Sequence, residues 1–162
     1  MNRRTLLAAA FTAPWALSSA RAQTASEVAQ PPPRPISPQN DLERAFVAAL
    51  HNERLRPAFR RQLLESNVAL ALSDAAAESP PLEMEIGEGA ATCFIFTSAR
   101  RLDSVLGPTA PRIVLLGRAA LMRVRDKHVA VNARLSPMLT LAPEDVAIFL
   151  SAEAASSAGP TQ

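Results

Sequence analysis

ATCFIFTSARRLDSVLGP, residues Ala91 to Pro108, switches its period halfway along, and that switch decides the fold. From Ala91 to Phe96 the spacing predicts an extended segment. Phe94 and Phe96 point to one side and Cys93 and Ile95 to the other, so both faces are apolar and the strand belongs inside a sheet. At Thr97-Ser98 a hydroxyl side chain can cap the free amides of a helix whose Leu102, Val105 and Leu106 share one stripe. Gly107 and Pro108 stop that helix.

Working outward toward the N-terminus, Gly87-Glu88-Gly89 predicts a hairpin turn into this strand from Leu82–Ile86, where Glu83 and Glu85 mark a wet face. Val68 to Leu72 is an earlier buried strand. Before it, Pro57 opens a helix with Phe59, Leu63 and Leu64 on its buried edge, and Arg54, Arg56, Arg60 and Arg61 read as its solvated side. The first helix begins after Asn40, which can cap it while Glu43 reaches back, and carries Leu42, Phe46, Ala49 and Leu50 as its stripe.

Toward the C-terminus, Pro111 to Leu116 returns as a strand and Gly117 hands over to a helix with Leu121 and Val124 inward. Val129, Val131 and Ala133 alternate as a further strand, and Met138 to Leu141 is a short extended piece. Pro143, with Glu144 and Asp145 in the first turn, opens a last helix whose Val146, Phe149 and Leu150 face the core. The expected fold is α/β in the α+β sense: one domain, residues 40–152, with a small mixed sheet of about five to six strands and about five helices.

The ends have a different character. Arg3-Arg4, the apolar run Leu6 to Leu17 and Ala20-Arg21-Ala22 predict a signal peptide over residues 1–22, cut before Gln23. The run is shorter than the roughly 20 apolar residues that cross a bilayer, so no membrane span is expected after cleavage. Asn2 to Leu7 resembles a twin-arginine signal, with the general route as the other option. The expected location is periplasmic or secreted. Residues 23–39 are polar and Pro-rich and read as a linker, and residues 153–162 lack apolar period and read as a disordered tail.

Charge points the same way. The chain of 162 residues carries 17 Lys and Arg against 15 Asp and Glu. Removing Arg3, Arg4 and Arg21 with the leader leaves 14 basic residues, so the mature protein is near neutral. Nucleic acid is therefore not an expected partner.

At this point the motifs can be taken together. Asn40 to Arg44 (NDLER), Arg56 to Phe59 (RPAF), Leu63 to Ser66 (LLES), Phe96 to Leu102 (FTSARRL), Val131-Asn132 and Leu141 to Val146 (LAPEDV) resemble the N-terminal domain of the SseB family, named for enhanced serine sensitivity. The resemblance covers about Asn40 to Ser151. It implies a small α/β domain with no settled reaction and no catalytic residues to carry over. Where the family often has N-P-G-S after the late strand, this chain has Asn132-Ala133-Arg134-Leu135.

No catalytic residue, metal site or cofactor is expected. His51 and His128 have no Cys or further His at metal-ligand spacing, and the single Cys93 lies in an apolar strand where burial silences a thiol. Ser98 follows a strand and opens a helix but lacks the glycines of a nucleophile elbow. The best small-anion site is the corner of Thr97, Ser98, Arg100 and Arg101. The leading expectation is an exported, non-enzymatic protein-interaction or accessory module with a protein partner. The alternatives are a small-anion binder or minor enzyme at the Thr97–Arg101 corner, and a sulfur carrier at Cys93.

Overall fold

A computed structural model describes residues 34–85 and 90–151. The predicted leader, the first part of the linker, the Gly87–Gly89 turn and the tail 153–162 lie outside the described residues. The elements follow in order as β1 (Arg34–Pro35), α1 (Asp41–His51), a short 3-10 turn at Glu53–Leu55, α2 (Arg56–Glu65), β2 (Asn67–Ala71), β3 (Glu83–Glu85), β4 (Ala91–Phe96), α3 (Ala99–Leu106), β5 (Arg112–Leu116), α4 (Gly117–Arg123), β6 (His128–Val131), β7 (Leu135–Ser136), β8 (Leu139–Leu141) and α5 (Pro143–Ser151). Among the described residues, five α-helices thus accompany a mixed six-stranded sheet and a two-stranded parallel ribbon, β1 with β7, in an α+β domain.

β4 is central, as its two apolar faces require. The strand order is β5-β2-β4-β6-β8, with β3 also paired to β4. β2 and β3 run antiparallel to β4, while β6 runs parallel to it. Cys93 and Ile95 join Val68, Leu70, Val129 and Val131 in one core beneath α1, α2, α4 and α5. Phe94 and Phe96 join Ala69, Ala71 and Ala130 in a second core, closed by Leu102 of α3 and Leu135 of the ribbon. Small alanines on the neighbouring strands leave room for the two phenyl rings, so α3 can sit close against that face.

Two local expectations change. Residues 34–36, inside the stretch read as a linker, are docked: Arg34 and Pro35 pair with Leu135 and Ser136, and Ile36 packs on the second core. A proline-rich sequence lacks helical or strand period, yet two residues of ribbon need none. In β3, Met84 is 42% exposed although its alternation with Glu83 and Glu85 suggests an inward face. β3 pairs only with the opening residues of β4, Ala91 to Cys93, and all three of its residues are exposed.

Candidate functional site

The corner after β4 is built by two caps. Ser98 holds extended backbone at φ −164° and its side chain accepts from the Arg101 amide, so it caps α3 as the sequence predicts. Across from it, Asn40 caps α1: its Oδ1 accepts from the Glu43 amide at 2.8 Å. Each cap sets the angle at which its helix leaves, and together they bring Glu43 and Arg101 face to face.

Arg101 does not point to solvent. Its Nε donates to Glu43 Oε1 at 2.9 Å and its Nη2 to Glu43 Oε2 at 2.7 Å, a two-pronged ion pair with the Glu43 side chain fully buried and that of Arg101 11% exposed. Thr97 Oγ1 donates to Glu43 Oε1 at 2.9 Å, and the Gln39 amide donates to Oε2 at 2.8 Å. Four donors fill the lone pairs of this carboxylate, leaving it no capacity to act as a base. Burial pushes the Glu43 carboxyl up, but the hydrogen bonds from Arg101, Gln39 and Thr97 outweigh it and hold the group below its ordinary value.

Asn132 completes the cluster. It is fully buried, adopts a left-handed φ of 57°, and its Oδ1 accepts from the Thr97 amide at 3.0 Å, with Thr97 Oγ1 at 3.1 Å. Arg101 Nη2 also donates to the Ser37 carbonyl at 2.6 Å, so the corner fastens the chain where it enters the domain. Of the four residues the sequence picks out, Thr97 and Arg101 are drawn into this clasp, Ser98 is occupied as a cap, and Arg100 is exposed. An incoming anion would have to displace Glu43 from Arg101.

The sequence reading places Glu43 in a capping box and nothing more. One signal was available: Glu43 stands three residues before Phe46 and seven before Leu50, so a carboxylate interrupts an otherwise apolar helical stripe. Cys93 is buried, and desolvation followed by the charge of Glu83 pushes its thiol up to about 11, which keeps it protonated near neutral pH. His51 and His128 are exposed at the end of α1 and the start of β6, and among the described residues no three His, Cys, Asp or Glu side chains gather as a metal site.

A concave surface lies elsewhere, on the helical side. Phe46, Ala49 and Leu50 of α1, Arg56, Pro57, Phe59 and Arg60 of α2, Leu139 of β8 and Phe149 of α5 enclose a cleft of about 390 Å³. Its floor is firm, because the Phe46 and Phe59 rings stack with centroids 4.7 Å apart. Its edge is apolar and open: Leu50, one of the lining residues, is 53% exposed. Arg60 departs from the solvated role expected of it. Its guanidinium lies 5.2 Å over the Phe149 ring, its Nε donates to the Phe149 carbonyl at 3.1 Å, and its Nη2 is buried without an acceptor. Among the described residues no carboxylate pairs with it.

No curated protein and no solved structure matches the chain. The sequence does match the family described as SseB protein N-terminal domain, over residues 42–147. That span runs from the first buried residue of α1 to the middle of α5 and takes in Glu43, Thr97, Arg101 and Asn132 with most of the cleft and of both cores, so this chain belongs to the SseB family.

Proposed function

We propose that this chain is an exported, non-enzymatic docking module, and that the cleft between α1, α2 and α5 receives an apolar segment of a protein partner. The observation that carries it is the cleft itself: an open apolar concavity with a firm aromatic floor, an exposed leucine at its edge, and an arginine that among the described residues has no carboxylate partner. Aromatic and arginine side chains grouped in this way are the usual anchors of protein interfaces. Thr97, Ser98 and Arg101 at the corner are engaged within the fold, which favours docking at the cleft over chemistry at the corner. Export rests on Arg3-Arg4, the apolar run and Ala20-Arg21-Ala22.

Site-specific photo-crosslinking in intact cells tests the docking role. A crosslinker at Leu50 is expected to trap a discrete protein product that one at the exposed Ser104, on α3, does not. Identical patterns from the two positions, or none from Leu50, would remove the cleft as a docking site. Cell fractionation with sequencing of the mature N-terminus tests export: the expected first residue is Gln23, and protein that keeps Met1 in the cytoplasm contradicts it.

A further inference from the structure

β5 is the outermost strand on its side of the sheet, and two of its side chains are open to solvent: Val114 is 54% exposed and Leu116 52%. Ile113 and Leu115 point the other way and pack on the larger core. α3 lies over β2 and β4, so Val114 and Leu116 extend past its cover.

Register tells which way the backbone of this edge faces. β5 runs antiparallel to β2 with Leu116 opposite Asn67 and Arg112 opposite Ala71. Just beyond the strand ends, Leu72 N donates to the Pro111 carbonyl at 3.0 Å and Gly117 N donates to the Ser66 carbonyl at 2.8 Å. Pro111 and Gly117 therefore face β2, and by the alternation of an antiparallel ladder so do Ile113 and Leu115. The amides and carbonyls of Arg112, Val114 and Leu116 face away from β2, where no strand lies among the described residues. The strand also lacks the usual protections of an edge: residues 112–116 contain no proline, no lysine and no unneutralised charge, since Arg112 is paired with Asp103 at 2.6 Å.

We propose that a second copy of this chain pairs antiparallel along β5, about a two-fold axis through Val114. The three outward residues are spaced symmetrically around that axis. Val114 then opposes Val114 of the second copy and Arg112 opposes Leu116, so the outward backbone groups of the two strands face one another, the Leu116 carbonyl also serving the first turn of α4. Charge is compatible as well, because each arginine faces a leucine and keeps its own Asp103. Val114 and Leu116 of both copies fall on one face and form a continuous apolar ridge across the junction. A strand of five residues contributes less than the roughly 800 Å² per partner of a permanent dimer, so the pairing is reversible. It uses none of the cleft residues and stands independently of the docking role.

Sedimentation of the purified chain up to about 1 mM, the weak end of specific association, tests this together with amide hydrogen exchange. The average mass is expected to rise toward twice that of the monomer. The Arg112, Val114 and Leu116 amides should gain protection with concentration, while those of Ile113 and Leu115 are protected throughout. Val114→Lys should keep the chain monomeric, and Leu116→Lys serves the same purpose if the first variant is poorly folded. A mass that stays monomeric, dimers that survive both substitutions, or outward amides whose exchange ignores concentration would overturn the proposal. The last pattern in a monomer that binds an added strand-forming peptide would reassign the edge to another protein.

Discussion

Glu43 shows how far one buried side chain can reach. It ties α1 to α3, to the end of β4 through Thr97, and to the entering chain through Gln39. Removing one partner of such a pair leaves the other charge buried alone, so Glu43→Ala is expected to cost about 3–5 kcal/mol in urea unfolding. The pH dependence follows from the direction of the shift. The folded-state pKa lies below the ordinary 4.5, so the contribution is complete above that value and is lost as pH falls through the folded pKa. The stability gap between the parent and Glu43→Gln should accordingly be widest near neutral pH and narrow in acid; a gap that stays constant down to about pH 3 would deny the carboxylate its role.

Arg134 is the second residue with a clear consequence. It adopts φ 63° in the Asn132–Leu135 turn, the left-handed region that disfavours side chains. The turn closes with Leu135 N donating to the Asn132 carbonyl at 2.9 Å, and Asn132, an amino acid that tolerates this conformation, takes φ 57°. Arg134→Gly should relieve the backbone and raise stability by about 1 kcal/mol, read as a higher denaturation midpoint. An unchanged or lower midpoint would mean that the arginine side chain compensates.

At the scale of elements, the packing of α4 on α2 turns on Gly117. A Cβ built there would meet the Leu63 carbonyl oxygen at 1.9 Å, a contact with backbone that no rotamer change can relieve. The glycine is needed for close approach, since its φ is not in the left-handed range. Gly117→Ala should therefore destabilise by about 3 kcal/mol, or shift α4 enough to disturb Leu121 and Val124 in the core. A variant with the parental melting curve would show that α4 slides freely. Caps act at the same scale: those at Asn40 and Ser98 were legible in the sequence because each binds an amide three residues ahead, while Asn52, which caps the 3-10 turn through the Arg54 amide, was read only as the end of α1.

For the molecule as a whole, the proposed cut before Gln23 has an optical consequence. Trp15 is the only tryptophan and there is no tyrosine, so the mature protein should lack tryptophan emission on excitation near 295 nm, a wavelength only indole absorbs appreciably. Emission from purified exported protein would mean that the leader remains attached. The two surfaces singled out are also separable at this scale, the cleft lying on the side of the larger core and the exposed face of β5 on the other.

What the sequence determined alone is whatever repeats or terminates locally: the two-faced strand Ala91–Phe96, the capped helix after it, the apolar stripes, and with them an α+β domain of this family. Those signals act over one to four residues, and periodicity records them directly. Tertiary structure decided the rest. Glu43 meets Arg101 across 58 positions and Arg60 meets Phe149 across 89. A charged residue beside an apolar stripe has the same local pattern whether it ends in water, in a buried ion pair or over an aromatic ring. Only the angle at which helices pack chooses among those ends, and only strand register chooses which amides of β5 face outward.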